Sequence, residues 1–147
     1  MKQRQNLVVV VAGAIVDDLT SPTKLLAARR SAPADLAGRW ELPGGKVEGG
    51  EAFEAALSRE LAEELGVKVQ VGAAMSLPGG GRWPLRPAYE MVVYWATISA
   101  GEPAPLEDHD ALVWVDASEA LSLEWLPTNR PIVEQLLQTM YRVRADS

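Results

Sequence analysis

The feature that most constrains the fold of this chain is residues 44–67, in which two pairs of glycines precede a run of helix-forming residues. Residues 51–65 are rich in Ala, Leu and Glu and contain neither Gly nor Pro, and Gly66 follows them directly. Because glycine readily ends a helix, we predict a helix over residues 51–65. Apolar side chains at steps of three and four residues predict its buried stripe: Phe53, Ala56, Leu57 and Leu61.

Three glutamates of this predicted helix, Glu60, Glu63 and Glu64, are spaced so that they share one face. Like charges on one face repel each other, and a hard divalent cation bound by carboxylate oxygens offsets that repulsion. Gly44 and Gly45 allow a tight backbone path, which can bring a carbonyl oxygen to the same cation. The alternative interpretation is an acidic helix face that contacts only water.

The rest of the chain alternates strand-like and helix-like segments. An apolar, valine-rich run over residues 7–16 predicts a central strand buried on both faces, and residues 24–30 predict a second strand that pairs back on it as a hairpin. The remaining strands are predicted at residues 40–42, 67–76, 89–99 and 111–115. Glycines and prolines predict an irregular loop over residues 77–87.

Two further helices are predicted near the C-terminus. Asp116 is placed to cap a short helix. Residues 131–143 predict a closing amphipathic helix whose inward side chains are Ile132, Val133, Leu136, Leu137 and Met140. Runs of strands with only two or three helices indicate an α+β fold, a mixed central sheet sandwiched by helices, as a single domain over residues 1–147.

Composition excludes several classes of function. The 147 residues include no cysteine, so disulfides and thiolate metal sites are excluded, and a reducing cytoplasm suits the chain. The net charge of −6 argues against binding a nucleic acid polymer, which wants a basic face. The apolar run at residues 7–16 is far shorter than the roughly 20 residues that a membrane span needs, so no membrane partner is expected.

Residues 45–67 resemble the Nudix box, and the flanking sequence resembles its MutT-type subgroup. Each defined position of the box is matched, by Gly45, Glu51, Arg59, Glu60, Leu61, Glu63, Glu64, Gly66 and Val67. The resemblance implies a Nudix-type α/β/α sandwich with a loop–helix–loop on which Mg²⁺, or Mn²⁺ in its place, bridges a substrate's diphosphate to the three glutamates.

Specific roles follow from the same resemblance. It implies that the carbonyl of Gly44 also coordinates metal and that Glu60 is the general base. Arg59 is implied to pair with Glu51 and to hold the helix against its loop. In relatives a Glu at the position of Asp108 can add a carboxylate to the metals, and the shorter Asp leaves that role open here.

The resemblance also assigns nucleotide contacts, to Arg30 and Glu41 before the box and to Asn129 after it. Asn129 stands where MutT enzymes read the purine base, and its amide can bond a base edge bidentately. It is also a good N-cap for the closing helix, and the two roles are compatible. Several CTP-preferring relatives carry Asp at this position. The single histidine, His109, is interpreted as making a local hydrogen bond rather than as catalytic.

The expected activity is Mg²⁺-dependent cleavage of a nucleoside triphosphate to monophosphate and pyrophosphate. With an 8-oxo-dGTP-type substrate the protein would be a nucleotide-pool sanitation enzyme connected with DNA repair. Asn129 favours this substrate, because Asn at this position favours a guanine-type base. CTP or a modified dCTP is an alternative substrate. ADP-ribose and dinucleoside polyphosphates are also compatible with the box, because fold and box do not fix the leaving group. A catalytically silent Nudix module that binds a nucleotide and regulates a partner is the alternative of another class; silent members usually lose part of the Arg-Glu-Glu-Glu set, which is intact here.

Overall fold

The computed structural model describes residues 8–75, 83–86 and 89–146, with side chains described except at residues 84–86 and 141–146. Within these ranges the chain forms eight strands and three helices. In chain order they are β1 (Val8–Ile15), β2 (Leu25–Arg30), β3 (Trp40–Glu41), β4 (Gly44–Lys46), α1 (Phe53–Leu65), β5 (Lys68–Ala74), β6 (Trp83–Arg86), β7 (Tyr89–Ala100), β8 (His109–Val115), α2 (Ala117–Ala120) and α3 (Arg130–Asp146).

The strands form two sheets. The larger has the order β4-β1-β7-β5, with β6 added to β7; β1 and β7 run parallel, with Val8 opposite Tyr89 and Ile15 opposite Ala96, and the other pairs are antiparallel. The smaller has the order β3-β2-β8 and is antiparallel. The mixed central sheet and the α+β class are therefore confirmed.

Strand β1 lies between the two helical layers of the molecule. Val11 and Ile15 pack with α1, whereas Ala12 and Ala14 pack with α3, because successive side chains of a strand point to opposite faces. All four are buried. The apolar run predicted this central strand correctly, and the sheet lies between α1 and α3 as a sandwich requires.

The predicted hairpin between the first two strands is wrong. A single bridge, Val16 to Leu25, joins the two segments, after which β2 pairs with β3 and β8 in the other sheet. The turn itself is well made, since Asp17 accepts hydrogen bonds from the backbone of Thr23 at 2.8 Å and of Lys24 at 3.1 Å. Turn residues reverse the chain, but they do not determine which strand becomes the partner.

Helix α1 ends as predicted and begins two residues later. Gly66 has a φ of 73°, in the left-handed region that favours glycine, and its N–H bonds to the carbonyl of Ala62. The buried residues are Ala56, Leu57, Leu61 and Leu65, whereas Phe53 is only half-buried. Glu51 lies before the helix, where its carboxylate accepts from the N–H of Glu48 at 3.0 Å.

The C-terminal helices agree with their sequence patterns. Asp116 caps α2 in a capping box with Glu119. All five side chains expected to face inward from α3 are buried: Ile132, Val133, Leu136, Leu137 and Met140. No helix within the described residues combines the length and the apolar character that crossing a membrane takes.

The loop predicted over residues 77–87 is wrong for residues 83–86, which form β6. Trp83 lies opposite Met91, and Pro84 lies opposite Glu90. Among the described strands β6 pairs only with β7, and a strand with a free side tolerates a proline that has no N–H to donate. The other residues of that predicted loop lie outside the described part of the chain.

Candidate active site

Gly44 and Gly45 each lie close to another part of the chain, Gly44 to the backbone of β1 and Gly45 to the Glu60 side chain. A Cβ on Gly44 would lie 1.9 Å from the carbonyl oxygen of Val11, and one on Gly45 would lie 2.2 Å from Cδ of Glu60. Both distances are far below any real Cβ contact. The glycines therefore let β4 pack directly against β1 and leave room for the Glu60 carboxylate beside the strand.

Arg59 joins the loop to α1 through several contacts. Its Nε and Nη2 donate to the two carboxylate oxygens of Glu51 at 2.8 and 3.1 Å, a bidentate pair, and Nη2 also donates to the carbonyl of Lys46 at 3.1 Å. This guanidinium holds the pKa of the Glu51 carboxyl below its ordinary value. Nη1 lies 3.1 Å from Glu60 and 3.5 Å from Glu63. The predicted pairing with Glu51 is present, and Arg59 reaches the acidic face as well.

Glu60, Glu63 and Glu64 differ in their surroundings although they share one helix face. The Glu60 side chain is 16% exposed and that of Glu63 is 44% exposed. Burial raises the pKa of Glu60, assisted by the charges of Glu63 and Glu107 and opposed by Arg59. Burial also raises the pKa of Glu64, to about 8, with the charges of Glu41 and Glu60 adding to the effect.

The carboxylate oxygens of α1 are ligands that a hard divalent cation prefers, but the three carboxylates do not surround a common point. Among the described side chains no three acidic or histidine groups form a ready metal cluster. Arg59 draws Glu60 and Glu63 to one side, while Glu64 accepts from the N–H of Gly44 at 3.2 Å. Burial and neighbouring charges disfavour ionisation of the Glu60 and Glu64 carboxyls and raise their pKa values. A bound cation would favour the ionised form, because it neutralises the charge that ionisation creates.

A second charged group lies beside the acidic face. Glu41 Oε2 accepts from Nη1 of Arg30 at 2.8 Å and lies 2.7 Å from Nε2 of His109. The other ring nitrogen of His109 lies 3.3 Å from the carbonyl of Leu106. The local bond expected of His109 is therefore present, but sequence reasoning missed its contact with Glu41, 68 residues away in the chain.

His109 is buried between two acids. Burial lowers the pKa of its imidazole, but the hydrogen bond to Glu41 and the charges of Glu41 and Glu64 outweigh that effect, so the net shift is upward. The same interaction works in reverse on Glu64, whose raised pKa His109 partly opposes. Glu41 and His109 thus connect the acidic face of α1 electrostatically to Arg30.

Arg30 and Glu41 open onto a cleft of about 700 Å³. The lining residues come from both sheets, the loop after β2 and the segment before α3: Val10, Arg30, Pro33, Leu36, Glu41, Lys46, Tyr89, Leu126, Pro127 and Thr128. Lys46 places its ammonium 5.9 Å from the centre of the Tyr89 ring. A cleft of this volume is large enough for a nucleotide-sized ligand.

Asn129 lies directly behind Thr128, which lines the cleft. It is 3% exposed; its Oδ1 accepts from the N–H of Leu42 at 2.9 Å, and its Nδ2 donates to Thr128 at 3.3 Å. The residue immediately precedes α3, so its position is that of an N-cap, yet its side-chain oxygen ties that helix to the end of β3. Asn129 is therefore a buried neighbour of the cleft and is not among its lining residues, although an amide has a second lone pair and a second hydrogen to offer.

The segment before β8 carries two candidate carboxylates. Glu107 and Asp108 have φ values of 28° and 61°, and the carbonyl of Asp108 accepts from the N–H of Ser31 at 2.8 Å. The charge that acts on Glu60 from this segment is that of Glu107. Sequence reasoning singled out Asp108 and not Glu107, because the effect of the Glu107 charge on Glu60 depends on the fold rather than on local spacing.

Fold and site together define a class of protein: an α/β/α sandwich with glutamates on a glycine-flanked helix beside a nucleotide-sized cleft. The profile of the NUDIX domain family matches residues 7–136, which is most of the chain. The chain belongs to the Nudix family.

Particular relatives are similar over most of their length. A Mycobacterium tuberculosis H37Rv protein with the provisional name 8-oxo-dGTP diphosphatase 2 is 44% identical over 138 residues, 94% of each chain. The CTP pyrophosphohydrolase of Escherichia coli K12 is 38% identical over 117 residues, 78% of this chain and 82% of that one. The solution structure of the E. coli ORF135 protein matches with a TM-score of 0.66 at 33% identity, over 95% of this chain and 92% of that one.

The comparisons confirm the family and the fold inferred from the box. The chain is a Nudix hydrolase of the MutT type, and hydrolases of this family generally need a divalent metal ion.

Proposed function

We propose that this protein is a Mg²⁺-dependent nucleoside triphosphate pyrophosphohydrolase that releases a monophosphate and pyrophosphate. The observation that carries the proposal is the adjacency of two groups: the carboxylates of α1 and the charged wall of the cleft. Glu64 of α1 accepts a hydrogen bond from the N–H of Gly44 at 3.2 Å, and Lys46, two residues further along β4, lines the cleft together with Glu41. A nucleotide in the cleft therefore has its phosphates beside the acidic face, where cations are needed between the two.

In this proposal Glu60, Glu63, Glu64 and the carbonyl of Gly44 would hold Mg²⁺, and Mn²⁺ could replace it. Asp108 or its neighbour Glu107 adds a further carboxylate. The ion, when bound, neutralises phosphate charge and favours ionisation of the attacking water.

The protein's own groups move the proton and bind the nucleotide. Glu60 accepts a proton from water on a carboxylate oxygen, as a general base. The water oxygen adds to a phosphorus of the triphosphate, and the bond to the oxygen that bridges the α- and β-phosphates breaks. Arg30 contributes charge and N–H donors on the cleft wall.

We further propose that the substrate is an 8-oxo-dGTP-type purine nucleotide of the cytoplasmic pool, with Asn129 and Arg30 near the base. The relative that is 44% identical carries a name of that kind, and Asn129 adjoins Thr128 on the cleft. CTP or a modified dCTP is the second candidate, because a relative that is 38% identical is named for CTP.

A substrate panel tests the reaction. Purified protein is incubated with each nucleoside triphosphate, 8-oxo-dGTP, 5-methyl-dCTP and ADP-ribose, with Mg²⁺ or with EDTA, and the products are identified. We expect monophosphate and pyrophosphate from a triphosphate, with Mg²⁺ only. Activity in EDTA would contradict the mechanism, and tight nucleotide binding without any hydrolysis would indicate the silent module instead.

Base reading by Asn129 is tested with two variants. Asn129→Asp keeps an acceptor for the Leu42 N–H but loses the amide donors, whereas Asn129→Ala loses both. If Asn129 reads the base, Asn129→Asp shifts kcat/KM from 8-oxo-dGTP toward CTP, and Asn129→Ala flattens the ratio. A selectivity ratio unchanged in both variants, with a lower Tm for Asn129→Ala, would leave Asn129 a purely structural role.

A further inference from the structure

His109 cannot contact a substrate directly. Its side chain is 0% exposed, enclosed at the start of β8. Both ring nitrogens face oxygen atoms, Nε2 the Glu41 carboxylate at 2.7 Å and Nδ1 the Leu106 carbonyl at 3.3 Å. The imidazole therefore acts only through its neighbours, and on the cleft wall that neighbour is Glu41, to which it is hydrogen-bonded.

The register of the smaller sheet places His109 with the side chains that line the cleft. Glu41 of β3 lies opposite Ala28 of β2, and Arg30 is two residues further along β2, so Glu41 and Arg30 point to the same face. His109 of β8 lies opposite Arg30 and shares that face. Each of three adjacent strands thus contributes one of these side chains: β3 Glu41, β2 Arg30 and β8 His109.

An irregularity in β8 makes this arrangement possible. Arg29 lies opposite Ala111 and Arg30 lies opposite His109, so β8 carries one extra residue, Asp110, between the two pairs. In a regular ladder Asp110 would lie opposite Arg30. The bulge instead brings the imidazole there and leaves Asp110 exposed, where it pairs with Arg29 at 2.8 Å.

The Glu41 carboxylate in turn fixes the guanidinium on the cleft wall. Oε2 of Glu41 is shared between Nε2 of His109 and Nη1 of Arg30, while Nε of Arg30 donates to the carbonyl of Ala32 at 2.9 Å. Glu41 is 13% exposed and Arg30 is 18% exposed, so each keeps some surface in the cleft. The order of contacts runs from the buried ring to the carboxylate and then to the group that a ligand meets.

We propose that His109 is a positioning residue for nucleotide binding: its Nε2 fixes the Glu41 carboxylate, which orients Arg30 toward the ligand in the cleft. This inference rests on the proposed function, because it gives Arg30 a nucleotide to bind. It predicts a change in KM rather than in kcat, since Arg30 binds substrate and transition state alike.

Kinetics of matched variants test the proposal. His109→Leu removes both ring nitrogens, whereas His109→Gln can keep an amide donor near the position of Nε2. We expect His109→Leu to raise KM for the nucleoside triphosphate about tenfold with kcat nearly unchanged, and His109→Gln to recover much of the loss. Asp110→Asn, one residue away and exposed, should leave both constants unchanged. Equal KM values for wild type and both His109 variants, whatever their Tm, would overturn the proposal.

A measurement without turnover separates this proposal from the proposed function. His109 is the chain's single histidine, so a protein labelled with ¹⁵N-histidine and carrying no histidine tag gives one set of imidazole NMR signals. We expect an Nε2–H resonance protected from water that shifts in Glu41→Gln and on addition of dGMP or CMP. An imidazole N–H that exchanges rapidly with water and whose resonance shifts neither in Glu41→Gln nor on nucleotide addition would overturn the positioning role.

The predicted shifts in a protein that hydrolyses no triphosphate would instead refute the proposed reaction alone. The NMR arm also decides the question if His109→Leu fails to fold.

Discussion

Glu64 lies where the charges of the acidic face and of the cleft wall act on the same carboxyl. In the metal-free protein its pKa is raised to about 8, above the 4.5 of an ordinary glutamate, with burial as the main cause. A carboxyl whose pKa is higher in the folded state than in the unfolded state stabilises the folded state at low pH. That stabilisation is lost as the pH rises through the folded-state pKa. A cation binds the ionised form of Glu64, so the stabilisation that the cation provides should increase as the pH rises.

We therefore predict that the rise in Tm caused by Mg²⁺ grows between pH 5.5 and pH 8.5. The measurement is thermal unfolding with and without Mg²⁺ at several pH values, in wild type and in Glu64→Gln. The variant carries no ionisable group at this position, so its Mg²⁺-dependent rise should be small and flatter with pH. Identical pH profiles for the two proteins would show that Glu64 does not hold the ion.

Glu107 and Asp108 are adjacent acids for which we predict different roles. Glu107 acts electrostatically on Glu60, whereas the backbone of Asp108 is tied to Ser31. We expect Glu107→Gln to raise the Mg²⁺ concentration needed for half-maximal activity more than Asp108→Asn does. Titrating activity with Mg²⁺ in both variants measures this, and a larger effect of Asp108→Asn would return the role to the position that the sequence favoured.

At the scale of elements, Arg59 fixes α1 against the loop that precedes it. Its contacts with Glu51 and with the carbonyl of Lys46 join the helix to β4, while its contacts with Glu60 and Glu63 reach the acidic face. A residue with both kinds of contact should affect folding and catalysis together.

We predict that Arg59→Ala lowers both Tm and kcat. The matched control is Arg130→Ala, which breaks two exposed contacts, with Glu134 of the same helix at 3.6 Å and with the carbonyl of Leu121 at 3.3 Å, and should change Tm little. Thermal unfolding and steady-state kinetics of the two variants decide the point. A loss of kcat with no change in Tm would mean that Arg59 acts on substrate or metal ligands directly rather than through the loop.

Elements whose pattern is local could be predicted from the sequence, and those set by distant partners could not. The stop of α1 at Gly66, the capped start of α2 and the inward residues of α3 depend on neighbours within a few turns, and they are confirmed. The partner of β2 and the strand β6 depend on pairing across the sheet, and both predictions failed. A short apolar or proline-containing segment carries no information on which strand it will join.

At the scale of the whole molecule, the site consists of segments that the chain keeps far apart. The glutamates lie within the box, whereas Arg30 comes before it and His109 and Thr128 come after it. A resemblance over the box predicted the acidic face, since its spacing is local. The contact of His109 with Glu41 could not be predicted, because it requires the β2–β8 bulge to bring two distant strands into register.

In the proposed reaction the carboxylates of α1 would act on a triphosphate held in the adjacent cleft. The test is to measure kcat/KM for wild type, Glu60→Gln and Glu54→Gln. The substrate is 8-oxo-dGTP with Mg²⁺, or the triphosphate that the substrate panel shows to be preferred. Glu54 is an exposed glutamate in the first turn of the same helix and serves as the control. We predict a loss of roughly 10²-fold or more for Glu60→Gln and no loss for Glu54→Gln. Near-normal turnover in Glu60→Gln would contradict the role of Glu60 in hydrolysis.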